Sequence, residues 1–203
     1  MLRFVLVSAL LGLVTAPAGV APAQFRSGEL PAIPVLAVRG GALILDVAVG
    51  RDGSVRGIKV TQSTLQFADA VIATVKSWRF RPAGEAASPV DSTVLVAVVF
   101  RPPSMYAPST TAPTKDDGSA PKDAPFPLRI VTPSAPPRAG TPGVALVEVR
   151  VGANGAVSGL KIVRSAPGFD DAVIQAARRW TFRPAEVGDV KVLTLAYVIF
   201  GFP

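Results

Sequence analysis

Apolar and polar residues alternate in two stretches of the chain, which is the pattern of a strand with one buried face. The apolar positions are Leu43, Leu45, Val47 and Val49 in the first stretch and Ala145, Val147, Val149 and Val151 in the second. Each stretch runs into a turn-forming dipeptide, Asp52-Gly53 or Asn154-Gly155, and then into further apolar residues. Because such dipeptides tolerate the positive φ of tight turns, each stretch predicts an antiparallel hairpin.

A helical spacing follows each hairpin. Apolar residues recur at i, i+4, i+8 and i+11, which places them on one face of a helix. They are Phe67, Val71, Val75 and Trp78 in the first case and Phe169, Val173, Ala177 and Trp180 in the second. Asp69 and the pair Asp170-Asp171 lie at the predicted helix starts, where a carboxylate can cap free N–H groups.

A last strand is predicted after each helix, from about Thr93 to Phe100 and from Val192 to Phe200. The first of these is apolar on both faces, and an exposed edge of that kind invites pairing. Two outcomes stay open. The edge can receive a partner peptide, or it can pair with the last strand of the other copy, within one chain or between two chains.

The two patterns are copies of one unit. Gly53 recurs as Gly155, 102 positions later, and from Gly41 to Ala83 about nineteen of roughly forty-three aligned positions are identical. The same offset relates Trp78 to Trp180, Phe80 to Phe182 and Pro82 to Pro184. The predicted fold is α+β, with two small β-β-α-β domains that each have an antiparallel sheet of about three strands and one helix on a face.

The prediction divides the chain into four parts. Residues 1–23 form a leader, residues 28–102 the first domain and residues 128–203 the second. Residues 103–127 are rich in Pro, Ser, Thr and Ala, which predicts an extended or disordered linker.

These motifs resemble the TonB C-terminal domain family. The second copy carries Asn154-Gly155-Ala156-Val157, Ser165, Asp171-Ala172-Val173 and the run from Trp180 to Ala185. The first copy carries Asp52-Gly53-Ser54-Val55, Ser63, Asp69-Ala70-Val71 and the run from Trp78 to Ala83. On this resemblance the residues that define the domain are Gly53, Trp78, Phe80, Pro82, Gly155, Trp180, Phe182 and Pro184.

The resemblance implies a function as well as a fold. Domains of this family receive an extended peptide, the TonB box of an outer-membrane receptor, as an added strand beside their last strand. The implied peptide-binding edge consists of Val94, Val96, Val98, Phe100, Leu193, Leu195, Tyr197 and Ile199. The partner implied is therefore a protein or peptide, such as an outer-membrane TonB-dependent receptor, in envelope transport.

The amino-acid composition limits the chemistry that this chain can carry out. The chain has no Cys and no His, which removes disulfides, thiol nucleophiles, histidine bases and the usual N/S metal sites. We therefore expect no enzymatic activity, no catalytic residues, no metal and no cofactor.

The N-terminus has the features of an export signal. Arg3 precedes an apolar run from Phe4 to Val14, which is shorter than the roughly 20 residues that span a bilayer. Two sequences of the form A-x-A follow, Ala16-Pro17-Ala18 and Ala21-Pro22-Ala23, and such sequences mark signal-peptide cleavage. This predicts a periplasmic protein that begins at Gln24; the alternative is an uncleaved anchor in the inner membrane.

The net charge of +7 favours anionic partners. No dense Lys/Arg run is interleaved with aromatic residues, so nucleic acid is not expected. The charge leads to an alternative function, a structural envelope module whose two domains pair edge to edge and contact anionic envelope polymers.

Overall fold

The computed structural model describes residues 21–32, 40–102, 108–134 and 142–203. The fold is α+β, with many strands, two helices and several small sheets, which confirms the predicted class. Most of the predicted leader, residues 1–20, and residues 103–107 of the predicted linker lie outside the described residues.

The first domain contains seven strands and one helix. They are β1 (Gln24–Ser27), β2 (Gly41–Val49), β3 (Val55–Ser63), α1 (Ala68–Lys76), β4 (Arg79–Arg81), β5 (Ala83–Glu85), β6 (Ser88–Val90) and β7 (Ser92–Phe100). The central strand β2 pairs antiparallel with β3 on one side and with β7 on the other. Strand β1 pairs with β4, and β5 forms a hairpin with β6.

The second domain repeats this arrangement and is preceded by one additional strand. The elements are β8 (Thr111–Pro113), β9 (Phe126–Val131), β10 (Gly143–Val151), β11 (Val157–Arg164), α2 (Asp170–Ala177), β12 (Thr181–Arg183), β13 (Ala185–Val187), β14 (Val190–Val192) and β15 (Thr194–Phe202). Strand β10 lies between β11 and β15, while β9 pairs with β12 as β1 does with β4. The additional strand β8 lies in the predicted linker and pairs with β9.

Three local predictions differ from the structure. Short strands lie between each helix and the last strand, so the order is richer than β-β-α-β. The last strand of the second domain begins at Thr194, because Val192 belongs to the preceding hairpin. Neither helix has a side-chain cap, and Asp170 instead accepts hydrogen bonds from the Ser165 hydroxyl and the Ala166 N–H, at 2.6 and 3.0 Å.

One six-stranded sheet joins the two domains, with the order β11-β10-β15-β7-β2-β3. All neighbours are antiparallel except the central pair, β15 and β7, which is parallel. The last strands of the two copies therefore meet in the middle of the molecule.

The two helices cover opposite faces of this sheet. Val94, Val96 and Val98 of β7 share a hydrophobic core with α1, whereas Leu95 and Ala97 of the same strand share another core with α2. Since successive side chains of a strand point to opposite faces, the two cores lie on either side of the sheet. Each core also contains side chains from the other domain.

Candidate functional site: the paired last strands

The candidate binding edges lie at the centre of the sheet. Strand β7 pairs with β15 over six residues, from Leu95 opposite Ala196 to Phe100 opposite Gly201. Each strand also pairs with the first strand of its own domain. Both hydrogen-bonding edges of the two last strands are therefore taken up inside the chain.

The structure brings together most of the side chains predicted to form the peptide-binding edge. Seven are buried in the core beneath α1: Val94, Val96, Val98, Phe100, Leu195, Tyr197 and Ile199. The eighth, Leu193, lies before β15 and is 46% exposed. Their role in binding a peptide stays a prediction.

Burial on both faces explains the composition of the last strands. Strands covered on both sides have nearly continuous apolar sequences, because neither row of side chains meets water. From Val94 to Phe100 every residue is buried, and the same is true from Leu195 to Phe202. The apolar pattern thus reflects the meeting of the two domains.

The turn glycines are required by the backbone. Gly53 and Gly155 have φ values of +75° and +77°, a region that favours glycine. A Cβ atom at either position would collide with the backbone oxygen of Phe80 or Phe182. The glycine carbonyls accept hydrogen bonds from the N–H groups of the same phenylalanines, at 2.8 and 2.9 Å. Each turn is therefore hydrogen-bonded to the strand that follows the helix, β4 in the first domain and β12 in the second.

The tryptophans are core anchors with a polar partner. Trp78 and Trp180 are 0% and 2% exposed, and each follows its helix. The Trp78 indole N–H donates to the Glu29 carbonyl at 2.8 Å, and the Trp180 indole N–H donates to the Val131 carbonyl at 2.9 Å. Each tryptophan thereby holds the segment that leads into its domain.

The remaining motif residues close the same corner of each domain. Phe80 and Phe182 are buried in β4 and β12. Pro82 and Pro184 are half-buried and separate these strands from the hairpins that follow. The eight motif residues are thus placed as parts of the fold.

A polar contact that the sequence patterns did not indicate joins the two domains. The Tyr197 hydroxyl accepts a hydrogen bond from the Phe25 N–H at 2.7 Å and donates to a Glu148 carboxylate oxygen at 3.0 Å. Burial raises the pKa of Tyr197 well above its usual value, so the hydroxyl stays protonated. The Arg164 guanidinium lies 5.7 Å from the centre of the Phe25 ring. Strand β1 of the first domain is thereby held on the second.

The opposite face has a different arrangement at the equivalent positions. Asp46 corresponds to Glu148 in the repeat; it is 5% exposed and accepts a hydrogen bond from the Thr61 hydroxyl at 2.7 Å. Burial raises the pKa of Asp46. Nearby, the Lys59 ammonium donates to the Ser119 carbonyl at 2.6 Å. The segment between the domains therefore contacts the first domain on this face.

The same segment is also tied to the second domain. Arg183 donates to the Asp116 carboxylate at 2.6 Å and to the Pro121 carbonyl at 3.3 Å. The Arg183–Asp116 ion pair is mostly shielded from solvent, with side-chain exposures of 24% and 18%. Residues 116–121 therefore bridge the two domains.

Across the described residues, no three His, Cys, Asp or Glu side chains are grouped to hold a metal ion. A cavity of about 390 Å³ lies between β2 and β8, and its lining includes Gln62, Thr64, Thr110 and Thr132. No ionisable side chain is among the described residues that line it.

No helix in the described parts of the chain is long and apolar enough to cross a membrane.

Comparison with known proteins agrees with the repeat. A sequence model described as the C-terminal part of the Gram-negative bacterial TonB protein matches residues 31–102 and again residues 133–202. No curated protein matches the chain. The two matched segments make up more than half of the 203 residues. The chain therefore belongs to the TonB C-terminal domain family and carries that domain twice.

Proposed function

We propose that this chain is a non-enzymatic, exported TonB-family protein of envelope transport whose two domains act as one module. The observation that carries the proposal is the parallel pairing of β7 with β15. Each domain fills, for the other, the place beside the last strand in which the family resemblance puts a receptor peptide. The module is therefore complete without a bound peptide.

The energetics favour a lasting pairing over a transient one. A peptide that replaced β15 beside β7 would have to expose Leu195, Tyr197 and Ile199, all at most 5% exposed. Exposing a large buried side chain costs about 1.5–3 kcal/mol, so these three alone oppose displacement strongly. A receptor peptide has no such cost if it binds elsewhere.

Amide hydrogen exchange tests this proposal. We expect β7 and β15 to exchange slowly in the full chain and to be unaffected by a synthetic N-terminal peptide of an outer-membrane receptor. A different result would show that a peptide opens the pair: with peptide added, the amides of one last strand stay protected while those of the other exchange faster.

Strand addition at the outer edges is a second candidate. Among the described strands, β3 and β11 each pair on one side only, so each presents backbone groups to an added strand. The same exchange experiment separates the candidates, because an outer-edge peptide would protect residues 55–63 or 157–164. Failure of any peptide to protect either outer edge would count against this second candidate.

The basic surface suggests a contact with anionic envelope polymers. Arg150, Lys161 and Arg164 are exposed on β10 and β11. We expect binding to an anionic polysaccharide to weaken as salt increases, since such attraction is screened over about 8 Å at physiological ionic strength. Substituting Arg150 and Lys161 by serine should weaken binding; a matched double substitution at exposed Lys76 and Arg79 is the control.

A further inference from the structure

We infer that the mature protein keeps Ala21–Ala23, and that its leader is removed after Ala18 rather than after Ala23. The inference rests on the proposal that the chain is exported with a cleaved leader. Two A-x-A sequences satisfy the cleavage pattern equally, Ala16-Pro17-Ala18 and Ala21-Pro22-Ala23. The contacts that Ala21–Ala23 makes in the folded domain distinguish the two candidate cleavage sites.

Ala21–Ala23 is built into the first domain. The Ala21 carbonyl accepts a hydrogen bond from the Gly84 N–H at 2.8 Å. Ala23 is 3% exposed and belongs to the core that also contains Trp78, Phe80 and Ala83. These three residues therefore belong to the fold as much as the strand β1 that follows them.

The second domain makes the corresponding contacts, and there the residues before the entry strand lie in the middle of the chain. Glu186, which corresponds to Gly84 in the repeat, donates its N–H to the Lys122 carbonyl at 2.7 Å. Ala124 precedes β9 and is 1% exposed. Both copies of the domain thus include the three or four residues before their entry strand, and a cut after Ala23 would leave the first copy without them.

The chemistry of a new N-terminus also disfavours a cut after Ala23. Such a cut would place an ammonium group on Gln24, the residue that lies opposite Arg81 in the pairing of β1 with β4. It would also remove the acceptor of the Gly84 N–H. A donor that loses its hydrogen-bond partner is unfavourable.

The first A-x-A sequence has neither consequence. It begins two residues after the apolar run that ends at Val14, where the small-residue cleavage site of a leader belongs. Hydrolysis of the Ala18–Gly19 amide by a signal peptidase consumes one water. It leaves a carboxylate on Ala18 and an ammonium group on Gly19, and it keeps Ala21, whose carbonyl accepts the Gly84 hydrogen bond.

The mass of the processed chain tests the inference. The full-length protein is expressed in a Gram-negative bacterium, the periplasmic fraction is isolated, and the intact mass and the N-terminal sequence are determined. We expect the chain to begin at Gly19. A chain that begins at Gln24 would overturn the inference and leave the export proposal intact. An uncut chain in the cytoplasm would overturn both the inference and the export proposal. An uncut chain in the membrane fraction would overturn the inference and leave the export proposal intact.

A stability comparison provides a second test. Three purified proteins beginning at Gly19, Ala21 and Gln24 are unfolded by heat. The first two should share one Tm, and the third should unfold lower by on the order of 4 °C, because it lacks the buried Ala23 and the acceptor for Gly84. Equal Tm values for all three would show that Ala21–Ala23 is dispensable and would overturn the inference.

Discussion

At the scale of single residues, the two copies differ at positions where the domains touch. Tyr197 joins the Phe25 N–H to Glu148 on one face, whereas the equivalent of Tyr197 in the first copy is Leu95, which has no polar group to offer. The equivalent of Glu148 is Asp46, which is hydrogen-bonded within its own domain. The sequence repeat alone could not reveal these roles, because they depend on which strand of one domain packs against these residues of the other.

Asp46 gives the first prediction. Because burial raises its pKa, the folded protein holds a proton at pH values where the unfolded chain has already released it. The stability linked to this proton is complete below the usual pKa and is lost as the pH rises through the raised value. Asp46→Asn should therefore unfold at a higher temperature than the unsubstituted protein at pH 7 and should lose this part of the pH dependence.

Thermal unfolding between pH 3 and pH 8 measures this effect. Asp189→Asn, at an exposed turn position, is the matched control for the loss of one carboxylate. If Asp46→Asn were less stable than the unsubstituted protein at pH 7, the carboxylate would be a net stabilising group.

Tyr197 gives the second prediction. Tyr197→Phe keeps the ring but removes the acceptor for the Phe25 N–H and the donor to Glu148. Leaving buried partners unsatisfied costs about 1–3 kcal/mol, so the free energy of unfolding should fall by that amount. Urea denaturation measures the change, with exposed Ser158→Ala as a control expected to lie within about 0.5 kcal/mol of the parent. An unchanged midpoint for Tyr197→Phe would mean that water replaces the hydroxyl.

At the scale of elements, the sequence was informative wherever local geometry decides the outcome. The turn glycines, the alternating first strands and the tryptophan anchors were all recognisable from the spacing of a few residues. The entry strands β1 and β9 were missed because they are short and pair with strands of three residues, which have no periodicity to recognise. The helix starts were predicted correctly, but the side-chain caps were not, since Asp170 accepts its hydrogen bonds from the preceding loop.

The turns give the third prediction. Gly155→Ala should lower the free energy of unfolding by about 1–2 kcal/mol from the left-handed backbone alone, and by more because the new Cβ meets the Phe182 carbonyl. Gly188→Ala is the control: its φ is +62° but nothing lies within 4 Å of a Cβ there, so it should show the backbone cost only. Equal losses measured in urea would mean that the turn moves to relieve the contact.

At the scale of the whole molecule, the sequence left the decisive question open. It indicated that the last strands would seek a partner, because both of their faces are apolar, but either a foreign peptide or the other copy satisfied that requirement. Pairing between distant strands depends on how the two domains approach each other, and no residue spacing encodes that. The apolar run of β7 is explained by burial on both faces. Val94, Val96 and Val98 are buried beneath α1, and Leu95 and Ala97 are buried on the α2 side.

The fourth prediction concerns the separated second domain. A chain of residues 108–203 would present β15 with one edge unpaired and with Leu195, Tyr197 and Ile199 no longer covered by the first domain. Exposed apolar edges promote association, so this chain should form dimers or larger species at micromolar concentration while the full chain stays monomeric. Sedimentation velocity measures both. A monomeric, folded second domain would mean that the first domain is not needed to cover the edge.

The parallel contact between β7 and β15 also bears on how the chain came to have two copies. Parallel equivalent strands imply an approximate two-fold axis along the strands, as in a dimer of two identical subunits. In such a dimer every substitution occurs twice, so a tyrosine that stabilises one face of the sheet must also be present at the equivalent position on the other face. Joining the copies in one chain removes that constraint, and Tyr197, where the first copy has Leu95, is a difference that two identical subunits could not hold. The chain can thus be understood as a symmetric dimer whose halves have been free to diverge.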